Sequence, residues 1–117
     1  MITKEIYNLL KQDERLKGIK INPFSTNVFE KAIVYKVIPQ SSNKIIEQSR
    51  LEITVIDTDY SRAEELLEIV KDILITFGDN QLNNNILSVV QNGGGSMKNE
   101  ATGTYHLSAF FNVKNIY

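Results

Sequence analysis

The chain is 117 residues long, with 42% hydrophobic and 23% charged residues, the size and composition of one globular domain rather than of a disordered or fibrous chain. Thirteen basic against fourteen acidic side chains leave a net charge of −1, too little positive field for a dedicated nucleic-acid binder. The lack of cysteine excludes disulfides, a thiolate nucleophile and a cysteine-held zinc, and no apolar run approaches the roughly 20 residues of a membrane span. A single soluble, untargeted domain over residues 1–117 is expected.

Ile6, Leu9 and Leu10 recur at helical spacing after Thr3, a plausible N-cap, so residues 3–16 read as a short amphipathic helix that ends at Gly18. The stretch from Ile19 to Glu30, with Asn22-Pro23 and Ser25-Thr26-Asn27, reads as a surface loop tacked down by Phe24, Val28 and Phe29. Ala32 to Ile38 is rich in β-branched and aromatic residues and forms the first strand, which Pro39 stops. After a polar turn over Gln40–Lys44, Ile45 to Ile56 returns with Leu51, Ile53 and Val55 on one face and Arg50, Glu52 and Thr54 on the other. One side of the sheet is therefore wet.

Ser61 with Glu64 fits a capping box, and Ala63, Leu66, Leu67, Val70, Ile73, Leu74 and Phe77 then make one apolar stripe, predicting a helix over 62–77. A polar loop over 79–85 leads to a short third strand, Ile86 to Gln91, which Asn92-Gly93-Gly94-Gly95 breaks. The last strand alternates Tyr105, Leu107, Ala109, Phe111 and Val113 with Thr104, His106, Ser108, Phe110 and Asn112. The order is α-β-β-α-β-β, which predicts an α+β two-layer sandwich: a four-stranded, mainly antiparallel sheet with two helices on one face. Its core should contain Leu66, Val70, Ile73, Leu74, Ile53, Val55, Leu107 and Phe111.

Chemistry is sparse. The single histidine, His106, has no second histidine to share a metal or complete a triad, and a solvent-facing place in the sheet is the reading its strand supports. Asp57 and Asp59 have the spacing of paired carboxylates, yet they precede a helix, where acidic side chains complement the dipole. Gly93-Gly94-Gly95-Ser96-Met97-Lys98 lacks the G-x-x-x-x-G-K-[ST] spacing and the following helix of a phosphate loop. No catalytic, cofactor or metal residue is assigned. The overlong connection from Gly93 to Gly103 reads instead as a long, mobile hairpin arm for binding another protein. Gly93, Gly94, Gly95, Met97, Lys98, Asn99 and Glu100 are its candidate contact residues, with Met97 as apolar anchor and Lys98 and Glu100 at the rim.

The opening helix Ile2 to Leu16, the strand Lys31 to Ile38 and the run Leu51 to Ala63 come first, followed by the helix to Phe77 and a closing strand ending Phe110-Phe111-Asn112-Val113. In this arrangement the chain resembles the tail-terminator and tail-completion proteins of long-tailed bacteriophages, whose recurring A-x-x-L-x-x-x-V helix is matched by Ala63, Leu66 and Val70. The resemblance implies a non-enzymatic phage or prophage virion protein, made in the host bacterial cytoplasm and located at the head–tail junction. Its copies would form a ring, usually of six, that ends the tail tube and meets the tube protein and the head connector or neck. Two competitors remain. One is a small ferredoxin-like regulatory or ligand-binding domain, whose cue would be a βαββαβ order, and the other is a small enzyme using Asp57, Asp59 and His106.

Overall fold

The computed structural model describes residues 3–23, 31–43, 45–80, 86–101 and 103–116, with side chains for all of these except residues 3, 5, 22, 23, 76–80, 86, 87 and 116. In chain order the elements are α1 (Thr3–Gln12), a 3-10 turn (Glu14–Leu16), β1 (Lys20–Pro23), β2 (Lys31–Ser42), β3 (Ile46–Asp57), α2 (Tyr60–Asn80), β4 (Ile86–Asn99) and β5 (Thr104–Ile116). The strands form one five-stranded sheet in the order β1-β2-β3-β5-β4. β1 runs parallel to β2, and all other neighbours are antiparallel.

This corrects the expected four-stranded α-β-β-α-β-β layout: the sheet is mixed and has a fifth strand. The added strand is β1, inside the stretch that the sequence marks as loop. Asn22-Pro23 is a turn signal in general, but β1 is an outer edge, where a proline lacks an N–H only on the side or end that needs none. Phe24, Val28 and Phe29 lie outside the described residues. The element order is also not βαββαβ, the cue for a ferredoxin-like domain.

The core follows the strand alternation. Rows of paired residues cross the sheet on one face: Ile33 with Val55 and Leu107, Tyr35 with Ile53 and Ala109, Val37 with Leu51 and Phe111. These join Ile6 and Leu10 of α1 and Ala63, Leu66, Val70, Ile73 and Leu74 of α2 in one buried cluster. All eight predicted core residues are buried. Tyr7 of α1 meets Tyr35 with ring centroids 6.1 Å apart, and burial, then the neighbouring Tyr7, pushes the Tyr35 hydroxyl above its ordinary pKa.

α1 ends sooner than its periodicity suggests. Asp13 caps the 3-10 turn by accepting from the Arg15 backbone N–H at 2.9 Å. Arg15 also donates to Asp13 at 3.0 Å and to Asp72 of α2 at 3.1 Å, tying the turn to the second helix. Those hydrogen bonds hold the Asp13 carboxyl below the usual carboxylate range. α2 starts two residues before the predicted 62, because Asp59 rather than Ser61 is the N-cap: Asp59 Oδ1 accepts from the backbone N–H of Ser61 at 2.9 Å and of Arg62 at 3.4 Å. The helix also continues past Gly78 to Asn80.

Two strands run beyond their predicted ends. β2 passes through Pro39, with a bulge between Pro39 and Ser41. Among the described residues β1 pairs only with Ala32 to Tyr35, so at Pro39 β2 has no described neighbour on that side and tolerates the missing donor. The larger correction concerns the arm. β4 does not stop at Gln91 but continues through the glycines to Asn99, with Gly94–Asn99 paired to Thr104–Ala109 of β5. The limbs of the hairpin arm are paired strand rather than loop, because the main-chain ladder needs no side chains to form.

Candidate interaction surface

The three chemical candidates are not brought together. Asp57 is 1% exposed; its Oδ1 accepts from the Asp59 backbone N–H at 2.9 Å and lies 3.3 Å from the Arg62 guanidinium. With Asp59 spent on capping α2, both carboxylates hold the strand-to-helix corner. Asp57 pairs with Tyr105, on the helix-covered side, whereas His106 pairs with Ile56 and faces the other way. His106 Nε2 lies 3.1 Å from Thr104 Oγ1. Among the described residues no group of three or more His, Cys, Asp or Glu could hold a metal.

The hairpin gathers the other candidates. Gln91 pairs with Phe111 and Gly94 with Ala109, so Asn92 and Gly93 together oppose Phe110 in a bulge. The bulge requires glycine: Gly93 has φ +105°, and a Cβ there would sit 3.3 Å from Phe110 Cδ2. At Gly94 a Cβ would come within 2.7 Å of the Ser108 carbonyl oxygen. Gly95 differs, with open space around its Cβ position and an ordinary φ. The extra residue shifts the alternation by one, so Gly94, Ser96 and Lys98 fall on the helix side and Gly95, Met97 and Asn99 on the uncovered side. At the tip, Asn99 Oδ1 accepts from the Ala101 N–H at 3.0 Å and the Asn99 carbonyl from the Gly103 N–H at 2.8 Å. Gly103 sits at φ +68°.

β4 is an outer strand, and every residue from Val90 to Lys98 is exposed. Met97 is 60% and Val90 59% exposed, both on the uncovered face. Lys98 turns back over the Tyr105 ring, 5.4 Å from its centroid, and Tyr60 meets the same ring edge-on at 5.4 Å. Sequence reading missed this cluster, since Tyr60 and Tyr105 are far apart in the chain. Elsewhere on the uncovered face Arg50 stacks 4.4 Å over Phe110, and Thr54 and Ser108 form a 2.9 Å hydroxyl pair. Glu100 is exposed at the hairpin turn.

The opposite edge carries a second feature that the sequence did not show. Lys11, Leu16, Lys17, Gly18, Ile19, Lys20 and Ile21 line a cleft of about 350 Å³ between α1, the 3-10 turn and β1. Leu16 and Ile21 are buried, whereas Lys11, Lys17 and Lys20 are exposed, so the cleft's charge is positive. These lysines are spaced irregularly in sequence and converge only because Gly18, at φ +83°, turns the chain from the helical region into the strand.

The sequence matches no protein-family model and no curated protein. Its fold is similar to that of a chain in the solved structure of the virion of a native gene transfer agent particle, with a TM-score of 0.71 at 14% identity, over 96% of this chain and 92% of that chain. A likeness at that identity concerns the fold alone.

Proposed function

We propose that this chain is a structural protein of a phage or phage-like virion, acting without catalysis as a ring at the head–tail junction that ends the tail tube and joins it to the head connector. The observation that carries this reading is the end-to-end similarity to a chain of a gene transfer agent virion, which agrees with the likeness to tail-terminator and tail-completion proteins. Both point to a particle part. The partners are further copies of the chain, the tail-tube protein and the connector or neck protein.

The contact surface in this reading is the β4–β5 hairpin: Gly93, Gly94, Gly95, Met97, Lys98, Asn99 and Glu100. A free strand edge offers unpaired main-chain groups to a neighbour, and Met97 supplies an exposed apolar anchor. The glycines at the bulge and close approach fix the hairpin's shape rather than loosen it.

Electron microscopy of particles made with Met97→Asp tests this, with the variant's folding checked by its melting curve. Tails of irregular length, or normal tails and heads that do not join, are the expected results; the latter would favour a neck position over the tail end. Normal particles carrying the folded variant would refute the role of the hairpin.

A further inference from the structure

We infer that the lysine-lined cleft is the receptor for the hairpin tip of a second copy, so that copies join head to tail from the β4 edge of one to the β1 edge of the next. This rests on the ring reading above and names the surface that completes it. A ring of identical subunits needs two different, complementary patches. The sheet order puts β1 and β4 at opposite edges, so one copy cannot satisfy both features itself.

The chemistry of the two patches matches. Lys11, Lys17 and Lys20 line the cleft, and among the described residues no carboxylate does. Among the described residues Lys17 and Lys20 have no ion pair, and Lys11 makes only a contact with its own Tyr7 ring, 5.5 Å from the centroid. At the other edge the tip presents Glu100, an exposed carboxylate, three residues from the exposed Met97 thioether. The one cation there, Lys98, lies over Tyr105 on the opposite face from Met97. An exposed carboxylate is what a cleft lined by three ammonium groups accepts. At about 350 Å³ the cleft is at the small end of ligand pockets, a size for one or two side chains rather than a whole helix.

Sedimentation velocity on the purified chain decides it, at an ionic strength of about 0.01 M where screening is weak. The wild type should associate with rising concentration and come apart when salt is added. Glu100→Lys alone, and Lys17→Glu with Lys20→Glu, should each weaken association about tenfold or more. An equimolar mixture of these two variants should restore it, because each then offers the charge that the other lacks. All three positions are exposed, and matching melting curves show that the variants fold.

A wild-type chain that stays monomeric to about 1 mM, or variants whose mixture does not reassociate, would overturn the inference. So would loss of association in the lysine variant with none in Glu100→Lys, which would give the cleft to a different acidic group. None of these outcomes touches the junction reading, which is read in particles through Met97→Asp.

Discussion

The centre of the sheet and its β4 edge are built on opposite terms. In β3, Leu51, Ile53 and Val55 are fully buried between α2 and the neighbouring strands, so each side chain there contributes apolar burial to the folded state. In β4, from Val90 to Lys98, no side chain is buried, and order comes from the ladder to β5 and from glycines that let the backbones approach. The first region is fixed by what its side chains bury. The second is fixed by what its backbone can do, which leaves its side chains and outer edge available to a neighbour.

Substitutions can break this contrast in order of size. Leu74→Ala or Ile53→Ala, both at fully buried positions, should cost about 2–5 kcal/mol in chemical denaturation, as core truncations do; a loss below about 0.5 kcal/mol at both would mean that the helix-covered face is not the core. Gly94→Ala places a Cβ 2.7 Å from a backbone oxygen and should cost about 1–3 kcal/mol by forcing the hairpin ladder apart. Hydrogen exchange should localise that loss to β4 and β5. Removing the α2 cap with Asp59→Ala should cost about 1 kcal/mol, read as a lower melting temperature.

Gly95→Ala sharpens the comparison because nothing in the fold requires glycine there. Relieved of glycine's backbone entropy, the variant should be as stable as wild type or gain about 0.5 kcal/mol. If it is also impaired in particles, Gly95 serves the approach of another chain rather than the hairpin itself. The smallest effect concerns acid. Asp13 titrates below its unfolded value, so its pairing with Arg15 stabilises the fold above the ordinary carboxylate pKa of about 4 and is lost as pH falls through the lower, folded value. The melting temperatures of wild type and Asp13→Asn should differ slightly at neutral pH and converge in acid.

Which parts of the structure were legible follows from the same contrast. Wherever side chains repeat on one face, the sequence spoke clearly: Leu66, Val70, Ile73 and Leu74 on the helix, and Leu51, Ile53 and Val55 against Arg50, Glu52 and Thr54 on the strand, lie as the periodicity requires. Wherever the backbone decides, it misled. The glycines of β4 look like a strand breaker because they bury nothing, and the bulge at Asn92-Gly93 hides the alternation by shifting it one residue. β1 is only four residues long, too short to show a period, and it holds a proline whose tolerance depends on being at an edge. Ser61-x-x-Glu64 has the form of a capping box, but Asp59 reaches the free N–H groups first.

The candidate surface divides the same way. Met97 and Glu100 could be named from the sequence as the contacts of an arm, whereas Lys11, Lys17 and Lys20 could not be grouped until the turn at Gly18 folded β1 back beside α1. Convergence of charges from three elements leaves no spacing to read.

The central claim is that this chain occupies the junction between head and tail. Labelling the chain in intact particles with an epitope tag at residue 117 and a gold-conjugated antibody, followed by electron microscopy, measures that directly. The account predicts label confined to a single position where tail meets head, on every particle. Label along the tube, on the capsid or at the far end of the tail would contradict it.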